Sequence, residues 1–358
     1  MHTTSHGPFD FMRPDLRTVT FSLAIILMLG WILRVGQGVL LPVLIAMIAL
    51  YVLASATNAL GRFPVVGLLP VALRRVIVLL AFTVGVIALF VYVINTFATV
   101  VNALPKYEEN LDRLIVNTAA LVGIQDQPSW SSFYAATIGR FEIQTVVPVL
   151  LTSLRGFGGT LFLVVLYAAF LMAERLDLTG KLALALGDPE KQNRTVALLE
   201  RINTRVGEYL SVKTLVNVIL AGLSYLIMLV LGIEFALFWA ILIGLLNYIP
   251  YIGSMIGVFF PVLLSLAQFG SLYMGAGVLV ALTLAQLFVA GFLEPRMMSR
   301  AFNLSPFVVL LALAFWGALW GVSGAVLAVP LTATLVIVLA EIEATRPIAI
   351  MLSGSGKV

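Results

Sequence analysis

An all-α, polytopic membrane fold is what this sequence predicts, on three observations. The mean hydropathy is +1.09 and 61% of the residues are hydrophobic. Charged residues make up 11%, against about 25% in a soluble domain, so most side chains must face lipid or other apolar helices. The apolar residues are gathered into long runs separated by short charged segments, the pattern of repeated membrane crossings.

Taken in order, residues 1–18 form a polar tail with Arg13 and Arg17 just ahead of the first apolar run, 19–33. That run has the length of a signal-peptide core, but no small-x-small cleavage site follows and a second run, 39–60, comes at once. The expected element is therefore an uncleaved helical hairpin. A basic loop, 61–75, carries Arg62, Arg74 and Arg75, and a third span, 76–101, completes an N-terminal unit ending near 103. Residues 104–155 change character, with four basic and five acidic side chains and three prolines. Tyr107, Leu111, Leu114 and Ile115 recur there at helical spacing, which predicts an amphipathic helix on the membrane or the bundle.

A fourth span, 156–173, ends at Glu174-Arg175. Residues 174–213 then hold seven basic and six acidic side chains. Gly187-Asp188-Pro189 reads as a helix start, with Asp188 capping free N–H groups and proline at the first helical position. Val196, Leu199, Ile202, Val206 and Tyr209 share one face, so an amphipathic helix should run directly into the fifth span, 214–232. It serves as a connector packed under the bundle or, alternatively, as a gate or partner-docking surface.

Lysine and arginine beside the span ends set the topology. The tail, the 61–75 loop and the 174–213 segment carry two, three and seven of them and fall on one side. These segments and both termini, including the tail at 343–358, are expected in the cytoplasm, and 104–155 outside.

The run at 235–268 is interrupted by Asn247-Tyr-Ile-Pro-Tyr-Ile-Gly-Ser254. Proline, glycine and hydrogen-bonding side chains at membrane depth are costly, because freed backbone groups find no water there. The flanking arms, 235–246 and 255–268, span only about 18 to 21 Å each at 1.5 Å per residue, short of a hydrocarbon core of about 30 Å. A hairpin that enters from outside and breaks near mid-depth is expected. A further span, 273–293, ends at Glu294-Pro-Arg296, and a second interrupted run, 307–340, then starts from inside with Gly317, Gly321, Ser323, Gly324 and Pro330. Two broken hairpins of opposite direction in a core at 214–342 match the inverted repeats of transporters. Two pairs of short spans with tight loops would give the same parity.

The segments Asn247–Ser254, Glu294-Pro-Arg296, Leu304-Ser-Pro306 and Gly321-Val-Ser-Gly324 leading to Ala328-Val-Pro330 occur in an order and spacing that resemble the autoinducer-2 exporter family, also called PerM-like permeases. The resemblance implies a multi-pass transporter of the bacterial inner membrane with about eight membrane segments. It also implies a homo-oligomer, with a pentamer as the candidate assembly. Its members are linked to export of autoinducer-2 and, in some branches, to sodium or lithium/proton exchange.

The residues themselves weigh these substrates. There is no cysteine, and both histidines, His2 and His6, lie in the polar tail, so thiol, imidazole and soft-metal chemistry are absent and a non-enzyme without cofactor or metal is expected. A Gly-x-x-x-x-Gly-Lys-Ser/Thr segment for ATP phosphates is missing. The net charge of +4 belongs to the basic loops rather than to a nucleic-acid surface. Cation exchange usually calls for an intramembrane carboxylate, whereas Glu234 and Glu294 fall at predicted span ends. Donors and acceptors for a small neutral polar solute are present in Asn247, Tyr248, Tyr251, Ser254, Gln286 and Ser323, with Gln268 as a further polar group. Pro250, Gly253, Glu294, Pro295, Arg296, Gly321, Gly324 and Pro330 are the candidate hairpin-tip or gate residues.

Each candidate also has a structural explanation. Asn247 and Ser254 suit half-helix caps, Tyr248 and Tyr251 interfacial anchors, and Gln286 an interhelical hydrogen bond. Gly321 and Gly324 suit close packing, and Glu294 a salt bridge with Arg296 or Arg300. The expected function is secondary transport of a small solute across the lipid bilayer, with a cation/proton antiporter, a channel-like oligomer and a non-transporting scaffold as alternatives.

Overall fold

The structure, a computed structural model, describes residues 16–64, 66–122, 143–174, 188–297 and 303–356, with Lys181 and Ala185 besides. Residues 1–15 of the polar tail, 123–142 of the segment expected outside, most of the charged stretch before Asp188, and Arg300 lie outside the described residues. Every long element is a helix. The first three are α1 (Leu16–Val35), α2 (Gln37–Leu60) and α3 (Val71–Ala103). The basic loop is thus shorter than expected, because Pro70 starts α3 and places Arg74 and Arg75 on its first turn. A short 3₁₀ turn leads to α4 (Glu108–Val122), the amphipathic helix, and α5 (Ile143–Glu174) follows.

The longest helix, α6 (Pro189–Val230), joins the amphipathic segment to the fifth span without a break. The Asp188 carboxylate accepts from the Glu190 N–H and Pro189 occupies the first turn, so the start is fixed by the cap read from the sequence. The first hairpin consists of α7 (Ala236–Leu246) and α8 (Ile252–Phe269). Next come α9 (Leu272–Phe288), a π-helical turn Val289–Leu293 and one α-helical turn Glu294–Met297. The chain closes with α10 (Pro306–Glu341) and α11 (Arg346–Leu352). Ser305 caps α10 through the Val308 N–H, with Pro306 behind it, which explains the Leu304-Ser-Pro306 motif. Among the described residues, six helices are long and apolar enough to cross a membrane.

Two bundles result. In the first, α2, α3 and α5 meet through Ala46, Ala49, Leu53, Val78, Val164 and Ala168. Ala46, Ala49 and Ala168 let the helices approach closely there, since lipid supplies no hydrophobic drive between helices and association depends on close packing. In the second, α6 packs against α7 and α9, and α8 also packs against α7 and α9, so four helices form a closed square. Its centre holds Val216, Leu220, Phe238, Ile243, Val278 and Leu282. The inward face of the amphipathic part of α6, Val206, Tyr209 and Leu210, packs on Val329 of α10 with Ile48 and Tyr51 of α2, linking the bundles.

The long helix α10 is not straight. Trp320 (φ −129°, ψ 15°) and Gly321 (φ 63°, ψ −141°) leave helical geometry. The Trp316 indole N–H donates to the Thr332 hydroxyl at 3.0 Å, although residues sixteen apart on a straight helix stand about 24 Å from each other. The chain therefore reverses at Trp320–Gly321, and 306–319 and 322–341 are the arms of a second hairpin.

Both turns are compressed onto a glycine. A Cβ at Gly253 would lie 1.8 Å from the Leu246 carbonyl oxygen, and one at Gly324 would lie 1.9 Å from that of Trp316. Gly321 has a conformation closed to L side chains. Gly253→Ala, through the clash of its Cβ with the Leu246 carbonyl, and Gly321→Ala, through backbone strain, should each cost about 1–3 kcal/mol. Gly317→Ala, whose Cβ would meet only Ala325 at 4.0 Å, should be tolerated; thermal unfolding of the detergent-solubilised variants checks the contrast.

Candidate functional site

The two hairpins run in opposite directions along α6. The base of the first lies at the Val230 end, where the Gln268 amide donates to the Gly232 carbonyl and accepts from the Glu234 N–H. Its tip lies far down α6, where the Tyr248 and Thr214 hydroxyls bond at 2.7 Å. That is about 24 Å from Val230 along the α6 axis, so the tip lies further from the base than the run lengths suggested. The reason is that the second arm begins at Ile252, inside the motif, and its 18 residues reach about 27 Å. The second hairpin is based at the charged part of α6, where Arg201 pairs with Glu341 at 2.9 Å and Arg194 donates to the Glu341 carbonyl at 2.8 Å. Its tip reaches the end of α1, where Arg34 donates to the carbonyls of Ala318 and Leu319 at 2.8 and 3.0 Å. Trp320 in turn donates to the Leu33 carbonyl.

Around the first tip the polar groups are shared with α6. The Asn247 amide donates to the Asn217 side-chain oxygen at 2.8 Å, with both residues buried. Gly244 lets α7 approach this point, since a Cβ there would stand 3.1 Å from the Asn217 carbonyl oxygen. Tyr251 sits at φ 62°, ψ −54°, and the Ile252 N–H closes onto the Pro250 carbonyl at 2.6 Å. This is the positive-φ γ-turn, a rare and strained form. Strain of this kind collects at functional sites. The Ser254 hydroxyl donates to the Tyr251 carbonyl at 2.9 Å and so holds the turn itself. Ile249 packs on Ala312, Leu313 and Ala328, placing the first tip against the middle of the second hairpin.

Beside this tip stands an ion pair that the sequence did not predict. Lys213, one residue before Thr214, donates to Glu294 at 2.8 Å, and the two side chains are 7% and 22% exposed. The expected partners of Glu294 were Arg296 or Arg300; instead, Arg296 lies over the Phe292 ring at 3.8 Å. The π-helical turn Val289–Leu293 immediately precedes Glu294, and such turns re-aim side chains at functional sites. Pro295 follows in the last turn.

The remaining predicted residues are dispersed. Gln286 is buried on α9 within the helical square. Tyr251 is 53% exposed. Ser323 is half-buried just after the second break, next to Gly324, and Pro330 is buried in the returning arm. Gln268 belongs to the hairpin base rather than its tip. Sequence reasoning missed Lys213, Thr214, Asn217 and Arg34. The available signal was Lys213 and Asn217 one turn apart at the seam where the amphipathic pattern gives way to a wholly apolar one.

A second charged cluster closes the opposite end. Glu234 accepts from Lys106 at 2.7 Å and from the buried Tyr107 hydroxyl, and Asn110 of α4 donates to the Gln268 carbonyl at 2.7 Å. The Glu234 carboxyl is held below its usual range, first by the Lys106 hydrogen bond and then by the Tyr107 hydroxyl.

Paired, oppositely directed broken hairpins in an α-helical, multi-pass membrane protein are a feature shared with many transporter folds. The AI-2E family transporter profile matches residues 21–344, and the chain belongs to that family. It is 29% identical over 344 residues to the AI-2 transport protein TqsA of Escherichia coli strain K12, covering 94% of this chain and 97% of that protein. It is 30% identical over 292 residues, 80% of each chain, to the putative transport protein YhhT of the same strain. It is 27% identical over 328 residues to the putative permease PerM of that strain, covering 88% and 90%. The protein is thus a membrane transporter.

Two measurements follow. Lys213→Met alone strands the Glu294 carboxylate and should destabilise by about 3 kcal/mol, whereas Lys213→Met with Glu294→Leu should recover most of that loss; unfolding midpoints decide between them. The Glu234 latch, with its lowered carboxyl, contributes fully above the free value of 4.5 and is lost as pH falls through the lower bound value. Hydrogen exchange in α4 should stay slow from neutral pH down to about 4.5 and quicken below it, and Glu234→Gln should abolish the pH step.

Proposed function

We propose that this chain is a secondary transporter of the bacterial inner membrane, with both termini in the cytoplasm, that exports a small neutral polar solute of the autoinducer-2 type. Access alternates around the two hairpins. The observation that carries this reading is the seating of the first tip, Asn247 to Ser254, between α6 and the middle of the oppositely directed hairpin. Asn247 and Tyr248 are positioned there for exchange of their α6 partners, Asn217 and Thr214, against a solute. The Lys213–Glu294 pair acts beside them as a gate on the basic side, and Gly321 and Gly324 keep the second tip compact enough to move as a unit. The similarity to the AI-2 transport protein TqsA over nearly the whole chain supports the solute class.

One observation favours a second reading, cation/proton exchange. Glu294 places a carboxylate at the level of the first tip, which the sequence alone did not reveal. Lys213 already neutralises it, and no group of three or more metal-ligating side chains occurs among the described residues, so the neutral solute is favoured.

The test is uptake into proteoliposomes of an autoinducer-2-type solute, with and without a proton gradient. The parent should accumulate it, and Asn247→Ala should slow uptake about tenfold, the loss of one buried hydrogen bond. Gly324→Leu should abolish uptake. If both variants, inserted and stable, carried solute as fast as the parent, the hairpin site would be wrong. Retained sodium flux that vanished in Glu294→Gln would favour the cation reading.

A further inference from the structure

Inside the square of α6, α7, α8 and α9, three side chains are more than nine-tenths buried and still carry an unpaired polar atom. They are Asn217 through Nδ2, Trp239 through Nε1 and Gln286 through Nε2, at 3%, 8% and 8% exposure. Buried polar groups are almost always hydrogen-bonded, so three in one core require an explanation. All three unpaired atoms are N–H donors. The other buried side-chain atom without a partner among the described residues, Arg74 Nε in the first bundle, is a donor too.

The three donors are staggered. Lys213 opposite Glu294 sets the register of α6 against the antiparallel α9, and Asn247 against Asn217 sets that of α7. At 1.5 Å per residue, Gln286 then lies about 6 Å beyond Asn217 toward the Glu234 end, and Trp239 about 12 Å beyond Asn217. They come from three of the four walls of the square.

We propose that Asn217, Gln286 and Trp239 form a ladder of donors that binds the hydroxyl and carbonyl oxygens of a small uncharged solute as it passes between the first tip and the Glu234 end. This deepens the transport reading and rests on it. A hard cation needs oxygen ligands, and the fully buried unpaired atoms among the described residues are all N–H. An anion would need a net positive site, whereas the charged pair beside the ladder, Lys213–Glu294, is balanced. Asn217 keeps its oxygen for Asn247, so its amide N–H is free for the solute while the tip stays docked. The ring of Trp239 is stacked on Phe260 at 6.1 Å between centroids, which fixes the direction of its N–H.

The test uses Trp239→Phe, which keeps the stacked ring and removes only the N–H, and Gln286→Met, which keeps the length and removes the amide. Removing an unpaired buried donor relieves a desolvation cost, so both variants should unfold at the same temperature as the parent or higher. Uptake of radiolabelled ribose by the full chain in proteoliposomes should fall about three- to tenfold for each. Ribose uptake at the parent rate in both stable variants would overturn the ladder and leave the hairpin transporter intact. A stability loss parallel to the uptake loss would assign these donors to packing and overturn it as well. A parent that carries radioactive sodium but not ribose would overturn the solute class while the protein remains a transporter.

Discussion

A break in a membrane helix frees N–H and carbonyl groups that find no partner in lipid, and the C-terminal half of this protein satisfies such groups at two breaks. At the first break the Ile252 N–H turns back on Pro250, Ser254 bonds Tyr251, and the side chains of Asn247 and Tyr248 are taken up by α6. At the second break Arg34 covers the carbonyls of Ala318 and Leu319. In each turn a glycine admits a backbone carbonyl closer than any side chain would allow. The solutions differ in chemistry, with neutral side chains at one tip and a cation at the other.

The helix α6 is the element that both hairpins share. Its charged first half holds the base of the second hairpin through Arg194 and Arg201, and its apolar second half holds the tip of the first through Thr214 and Asn217. Lys213 marks the border between these halves. A shift of α6 along its axis would thus be felt at the base of one hairpin and the tip of the other together.

Much of this was readable because a membrane imposes run length and charge placement on the sequence. Asp188-Pro189 announced the start of α6, and the breaks at Asn247–Ser254 and Gly321 announced themselves as residues too costly for an uninterrupted helix. Depth was not readable, since Ile252 and Gly253 are helical although the motif looked like loop throughout. Pairings across long sequence separations were hidden for a different reason. Glu294 has Arg296 and Arg300 as near neighbours in sequence, but the π-helical turn before it rotates its carboxylate toward Lys213. The unpaired donors of Asn217 and Trp239 were invisible because an amide or an indole in an apolar run gives no hint of whether it will find a partner.

The Lys213–Glu294 pair also orders assembly in time. The two residues are 81 positions apart, so a nascent chain presents the lysine to the bilayer well before its carboxylate has been synthesised. Until then Lys213 must remain at the aqueous interface, where its charge is hydrated. The whole first hairpin, which docks Asn247 on Asn217, is synthesised between the two members of the pair.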